Sequence, residues 1–371
     1  MKPKLIMSVS NDICTDQRVD KTCNVFTKEN YEVILVGILR PKSQNISIRK
    51  YKIKRLKLCF KKNIFFYAEL QIRLFFYLLF KKCDILYAND LDTLLPNFLI
   101  HKIKRIPLIY DSHEYFTEVP ELKQNTFAKK TWERLEKCLF PHLKNVITVC
   151  DSIADIYTNK YKIPIHVIRN VPTQKTKAIS SLKTDLKIAE ATKIILYQGA
   201  INIDRGIEEA IEAMLFLENC ILLIVGDGDI LQDLKQKTKA LSLSNKVIFT
   251  GRIPLEKLMD YTSIADLGIS LEKDSNLNYK YCLPNKLFDY IQAEIPVLVS
   301  PLIEMQNIVQ KYTIGSLLRS HNPAQIAMQI QEIFNDQTQY SVYVENTKKA
   351  KKILCWEEEQ KIVKNIIKNL K

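Results

Sequence analysis

No two cysteines of this chain stand in a C-x-x-C arrangement, and none of the nine falls at metal-ligand spacing with the five histidines. That absence excludes the common zinc and dithiol motifs. Cys150 and Cys220 lie in apolar runs, where a free thiol behaves as a small hydrophobe, so a reducing cytoplasm is expected. No self-similar period of about 20–50 residues recurs, as solenoids and propellers would require, and there is no low-complexity tract. The strand-like run KLIMSVS opens the chain with no leader pattern ahead of it, so no signal peptide is expected. Acid is scarce in one region: between Arg40 and Lys82 thirteen basic residues accompany a single acid, Glu69.

What is present describes an ordinary folded protein. With 371 residues, 47% hydrophobic and 26% charged, the chain can bury two separate cores. The charge is uneven. Residues 1–190 hold 34 Lys and Arg against 19 Asp and Glu, whereas residues 191–371 hold 21 against 22. The first half is therefore expected to face something anionic, with nucleic acid, acidic lipid and an acidic polymer all fitting.

Short apolar runs alternate with helical patterns throughout. KLIMSVS, YEVILVGI, DILYAN, PLIYDSH and NVITVC read as strands in the first half, and KIILYQGA, CILLIVGDG, KVIFTGR, ADLGISL and IPVLVS in the second. Segments such as IEEAIEAMLFL and LEKLMDYTSIA between them space their apolar residues by three and four. This alternation predicts two doubly wound α/β domains with parallel sheets. The polar stretch 173–192 is read as the linker between residues 1–172 and 193–351, with 352–371 crossing back to the first domain.

The run IFFYAELQIRLFFYLLF, Ile64 to Phe80, is short for a spanning helix and carries Glu69 and Arg73 inside it. Lysine pairs flank it, Lys61–Lys62 and Lys81–Lys82. It is expected to be mostly buried in the first domain with its basic flanks facing an anionic surface. The other reading lets an outer aromatic face dip into a bilayer surface.

The stretch LPNKLFDYIQAEIPVLVS carries the main chemical signal. Pro284 opens a helix beyond the strand ADLGISL, and a helix start at the carboxyl end of a parallel strand is an anion site. Asn285 and Lys286 stand at its mouth. Asp289 lies one turn deeper on the same face, placed either to accept hydrogen bonds from sugar hydroxyls or to complement the helix dipole. A second loop, YQGAINIDRGIEEAIEAM, projects Arg205 between a strand and a helix. There it can grip phosphate with two prongs or pair with Glu208 or Glu209. GDGD, Gly226 to Asp229, reads as a tight turn rather than a metal site.

Together YQGAINIDRG, LLIVGDGD, VIFTGRIPLEKLMDYTSIADLGISL and LPNKLFDYIQAEIPVLVS resemble the nucleotide-sugar domain of family 4 glycosyltransferases. The first half adds SNDICTDQRVDKTCNVFTKENYEVILVG, NDLDTLLPN, IYDSHEYF and VITVCDSIADIYTNKY, and the terminal AKKILCWEEEQKIVKNIIKNL resembles the helix that crosses back. The resemblance implies the GT-B fold, two facing Rossmann-like domains with a cleft between them. It further implies that Arg205 and Lys286 hold a donor diphosphate, helped by amides around Asn285. Asp289 takes the ribose-binding second acidic position of the family motif. Gly251, Arg252 and Ile253 line the base pocket, and Gly199, Tyr281, Leu283 and Pro284 complete the donor side. His113 matches a histidine near the donor sugar and is expected to be a hydrogen bonder there; the other reading makes it a first-turn residue after a strand, with Ser112 as cap. Asp16, Arg18, Asn89, Asp90 and Glu114 form the acceptor side. The sequence departs from the family at Tyr281, where the first motif glutamate is expected, and at Ala200, where an arginine is common. A third departure is Glu294, which replaces a left-handed glycine at a cost of up to about 1 kcal/mol.

The resemblance implies transfer of a sugar from a nucleoside-diphosphate donor to a glycan or lipid-linked acceptor, with retention, without a divalent metal and with no other cofactor. The protein is then expected to be cytoplasmic and peripheral on the inner face of the membrane, through residues 40–82. Rival readings are a nucleotide-sugar epimerase of the same fold, a non-catalytic partner of another transferase, and a binder of anionic surfaces or nucleic acid. No nucleic-acid module is visible, and none is expected as a partner.

Overall fold

The computed structural model describes residues 2–41, 43, 45–46, 48–119, 122, 125–176 and 181–370. Parts of two expected features fall outside these residues, namely 42, 44 and 47 of the basic stretch and 177–180 of the linker stretch. The chain divides into two compact units, Met1–Asn170 with Glu359–Lys371, and Val171–Glu358.

The first unit is built on a seven-stranded sheet. Its strands are β1 (Lys4–Ser8), β2 (Glu32–Leu39), β3 (Lys52–Lys57), β4 (Ile85–Asn89), β5 (Leu108–Ser112), β6 (Asn145–Thr148) and β7 (Ile165–Val167). Their spatial order is β3-β2-β1-β4-β5-β6-β7, and every pair is parallel. The second unit holds β8 (Lys193–Gln198), β9 (Cys220–Val225), β10 (Val247–Gly251), β11 (Leu267–Ser270), β12 (Val297–Val299) and β13 (Gly315–Leu317). Their order is β10-β9-β8-β11-β12-β13, again parallel throughout. The central strands β4, β5, β11 and β12 are buried at every residue, as sheets covered on both faces require. In each sheet the order reverses once, between β1 and β4 and between β8 and β11. Loops leaving a reversal diverge and open a crevice at the carboxyl ends of the strands.

Ten strands match the runs read from the sequence. Three do not, namely β3, β7 and β13. β3 reads KIKRLK, an edge strand whose lysines replace the apolar run that betrays an inner strand. Charge on an edge also blocks pairing with another chain. The C-terminal helix Trp356–Asn369 ends within the first unit, where Glu359 accepts from the Arg169 amide at 3.0 Å. Glu294 does adopt the left-handed conformation, at φ +62°, and its carboxylate meets Lys351 at 2.7 Å.

The helix Asn63–Phe80 differs from the expectation of burial. Its buried residues are Phe66, Leu70, Leu74 and Leu78, one stripe at helical spacing; Phe66 and Leu70 cluster with Ile38 of β2, and the helix lies mainly against the helix Leu91–Lys104. Only 22% of the helix is buried. The cause is geometric, since a helix packed from one side hides one face and this one is apolar on both.

Candidate functional site

In the second unit the switch point between β8 and β11 gathers the candidate donor residues. β8 ends at Gln198, and the loop that begins at Gly199 carries Arg205. Gly206 follows at φ +71°, packed so closely that a β-carbon would collide with the Leu271 carbonyl. That contact anchors Arg205 beside the end of β11. The helix Asn285–Gln292 begins on the other side, with no side chain capping its first amides.

Between these elements lies a residue that the sequence reading passed over. Glu272 is fully buried and sits two positions beyond β11. Its Oε1 receives Lys286 Nζ at 2.8 Å and Arg205 Nη1 at 3.4 Å, and its Oε2 receives the Ser270 hydroxyl at 2.7 Å. Arg205 does not pair with Glu208 or Glu209; Glu209 is instead held by Lys273. Two aromatic rings complete the cluster. Lys286 Nζ stands 3.9 Å from the Tyr197 ring centre, and the Arg205 guanidinium lies 4.6 Å from that of Tyr279. Both are cation–π distances.

Burial alone pushes the Glu272 carboxyl up, but Lys286, Ser270 and Arg205 together hold it below the usual range. Burial likewise pulls Lys286 and Arg205 down, but Glu272 together with Tyr197, and for Arg205 also Tyr279, raises both above their usual values. The cluster therefore carries two positive charges and one negative at neutral pH, a surplus cation next to an uncapped helix start. Burial pushes the neighbouring Cys282 thiol up to about 12, so it stays protonated and inert.

Asp289 lies on the inner side of the same helix. It accepts from Gln198 Nε2 at 2.9 Å, and Gln198 in turn accepts from the Thr262 hydroxyl at 2.8 Å. Asn285 is exposed, while Tyr281, Leu283 and Pro284 are half-buried around it. The Ala200 carbonyl accepts from the Tyr197 hydroxyl at 2.6 Å. The turn after β9 is bound to this region through backbone. A β-carbon at Gly226 would collide with the Gly199 carbonyl, and the Gly226 amide donates to Gly251 at 3.0 Å. The glycines of GDGD thus serve close backbone approach. Beyond Gly251, Arg252 is exposed and Ile253 half-buried. Among the described residues, no group of three or more His, Cys, Asp or Glu side chains is arranged to hold a metal ion.

The first unit has its own constellation at the switch point between β1 and β4. Asn89 ends β4 and donates to the Ser8 carbonyl at 2.9 Å. Asp90 follows at φ +58°, a strained conformation for a residue with a side chain. Its carboxylate meets the His113 amide at 2.9 Å and His113 Nδ1 at 3.4 Å. His113 Nε2 is 3.1 Å from Asn89 Oδ1 and 3.7 Å from Asp111. Burial lowers the proton affinity of the ring, but Asp90 and Asp111 outweigh it and bring its pKa to about 9. With acceptors at both nitrogens the ring is an imidazolium, a donor rather than a base. Ser112 donates to the Glu114 carbonyl at 2.8 Å and does not cap a helix as expected.

Two residues assigned to the acceptor side have structural partners. Arg18 is buried, at 3% exposure. It makes a two-pronged pair with Asp111 at 3.1 and 2.7 Å and donates to the Ile168 carbonyl at 2.6 Å. A guanidinium so enclosed holds strands together and does not reach a substrate. Asp16 caps the helix Gln17–Lys28 through the Val19 amide. Glu114 is exposed.

Asp92, in the first turn of the helix Leu91–Lys104, is buried beside Asp90. Burial, and then Asp90, pushes its carboxyl up to about 7. A folded value above the unfolded one favours folding below the unfolded value, and that advantage is lost as pH rises through the folded value. Asp92→Asn is therefore expected to stabilise the protein increasingly from about pH 4 to pH 7 and by a constant amount above. Melting temperatures across that range test this. A gain that shrank with rising pH would contradict the assignment.

Comparison with known proteins adds the family. Residues 17–171 match the family described as Glycosyltransferase Family 4, and residues 179–350 match Glycosyl transferases group 1. Each half of the chain thus matches a glycosyltransferase family model, and the whole has the GT-B fold. A curated relative, alpha-monoglucosyldiacylglycerol synthase of Streptococcus pneumoniae, is 26% identical over 252 residues, covering 63% of this chain and 55% of its own length. Sucrose-phosphate synthase of Thermosynechococcus elongatus superimposes with a TM-score of 0.80 at 15% identity, over 100% of this chain and 99% of that one. HepE of Anabaena, solved in complex with UDP, superimposes with a TM-score of 0.75 at 15% identity, over 99% and 100% of the two chains. These matches favour neither an epimerase nor a nucleic-acid binder.

Proposed function

We propose that this glycosyltransferase moves a sugar from a nucleoside-diphosphate donor to a glycan or lipid-linked acceptor, with retention of configuration and without a divalent metal. The observation that carries the reading is the convergence of Arg205 and Lys286 on Glu272 beside an uncapped helix start. Fixed cations and oriented amides aimed at a departing diphosphate stabilise charge that develops only as the bond breaks. In this scheme the bond from the anomeric carbon to the diphosphate oxygen breaks as the bond to the acceptor oxygen forms on the same face. The acceptor proton passes to a diphosphate oxygen. Asp289, held by Gln198, takes ribose hydroxyls. His113, a doubly held imidazolium, orients the sugar and takes no proton.

The complex of HepE with UDP supports a nucleotide donor, and the relative named for monoglucosyldiacylglycerol supports a lipid-borne acceptor. A cytoplasmic location suits both substrates. Calorimetry with UDP and other nucleoside diphosphates tests the reading. Arg205→Ala should weaken the best ligand by about 10–100-fold, the range of a lost charge-assisted bond. An unchanged dissociation constant would remove Arg205 from the phosphate site. Incubation with donor alone checks the reaction, because a sugar altered without acceptor would mean epimerisation.

A further inference from the structure

The helix Asn63–Phe80 hides one stripe and exposes another. Phe65, Ile72, Phe76 and Phe80 recur at steps of seven, four and four and are 63%, 57%, 50% and 77% exposed. Phe76 and Phe80 stack with centroids 6.4 Å apart. Phe60, also exposed, lies 5.4 Å from Phe65 and extends the ridge past the helix start. An unpartnered aromatic ridge of this length marks a binding surface.

We propose that this ridge docks on the surface of an anionic bilayer, with the helix lying in the plane of the interface. Spanning is ruled out by the opposite stripe, since Phe66, Leu70, Leu74 and Leu78 are committed to the core of the first unit. The charges agree. Lys61, Lys62, Lys81 and Lys82 are all exposed, one pair at each end of the ridge. Glu69, the one acid between Arg40 and Lys82, is consumed internally. It accepts from the Cys59 and Phe60 amides at 2.8–3.0 Å and from Arg73 at 2.7 Å. What faces outward is an apolar strip between cationic ends, complementary to acidic headgroups above acyl chains. A second copy of the chain would bring like charges together, which disfavours a dimer through this face.

Flotation of the full chain with vesicles decides the matter. Binding is expected to vesicles of phosphatidylcholine with 30% phosphatidylglycerol, to weaken with added salt, and to be near background on phosphatidylcholine alone. Phe76→Ser with Phe80→Ser should reduce partitioning at least about tenfold without lowering the melting temperature, because both rings are exposed. Changing all four lysines to glutamine should remove the preference for anionic vesicles. Equal binding to neutral vesicles, no binding, or a dimer in sedimentation that the double serine variant dissolves would each overturn the proposal. The proposal rests on the helix alone. Vesicle binding and nucleotide binding can therefore fail separately.

Discussion

Glu272→Ala is expected to destabilise the protein by about 3–5 kcal/mol, the usual cost of leaving a buried charge without its partner. Lys286 is 7% exposed and would lose the carboxylate it donates to, while Arg205 would stand beside it with the same sign. The second half of the prediction separates function from packing. With Glu272 gone, a diphosphate becomes the counter-ion for both cations, so saturating UDP should raise the melting temperature of the variant more than that of the parent. A double variant, Glu272→Leu with Lys286→Met, should recover much of the stability, as apolar replacements of buried ion pairs often do, and should not respond to UDP. If UDP stabilises the alanine variant no more than the parent, the diphosphate does not lie against these cations. Lys286 is accordingly a poor site for a simple alanine test, since its removal would strand Glu272.

Arg18→Met is expected to be comparably damaging in the first unit, again about 3–5 kcal/mol at neutral pH. It would leave the Asp111 carboxylate buried, with the Tyr87 hydroxyl at 2.8 Å and His113 at 3.7 Å. Burial would raise the Asp111 carboxyl, but Arg18 first and then His113 hold it below the usual range. A folded value beneath the unfolded one gives stability that is present above the unfolded value, near 3.9. That stability is lost as pH falls through the folded value. The gap between parent and variant should therefore be widest near neutrality and narrow below about pH 4. Adding Asp111→Asn to Arg18→Met should cost less than the sum of the two single changes, with a coupling of about 0.5–3 kcal/mol. Urea titrations at several pH values measure all three quantities. A constant gap down to low pH would mean that the pair contributes no charge term.

Ten of the thirteen strands could be read along the chain because each is a short apolar run with punctuation at its ends. β3 could not, since KIKRLK carries the charges of an edge, nor could β7 and β13, whose IHV and GSL are half-buried and lack the apolar run that marks the equally short β12. Arg205 and Lys286 stand out along the chain because each lies where a helix begins after a strand, and Asp289 because it follows Lys286 by three positions in the same helix. Glu272 does not. It stands in the polar loop EKDSNLNYKYC among several charged residues, and no local pattern sets it apart from Lys273 or Asp274. The burial of Arg18 is hidden in the sequence for the same reason, as its partner Asp111 is 93 positions away.

The amino-acid order alone established the α/β alternation, the basic first half and the helix mouths suited to anions. All of these arise from properties of neighbouring residues. Which charges meet was decided by tertiary structure, because β8 lies against β11 and β1 against β4 only after the sheets reverse their order. The same holds for the helix Asn63–Phe80, whose two apolar stripes are alike in composition. Packing against the first unit, chiefly the helix Leu91–Lys104, hides one and leaves the other exposed.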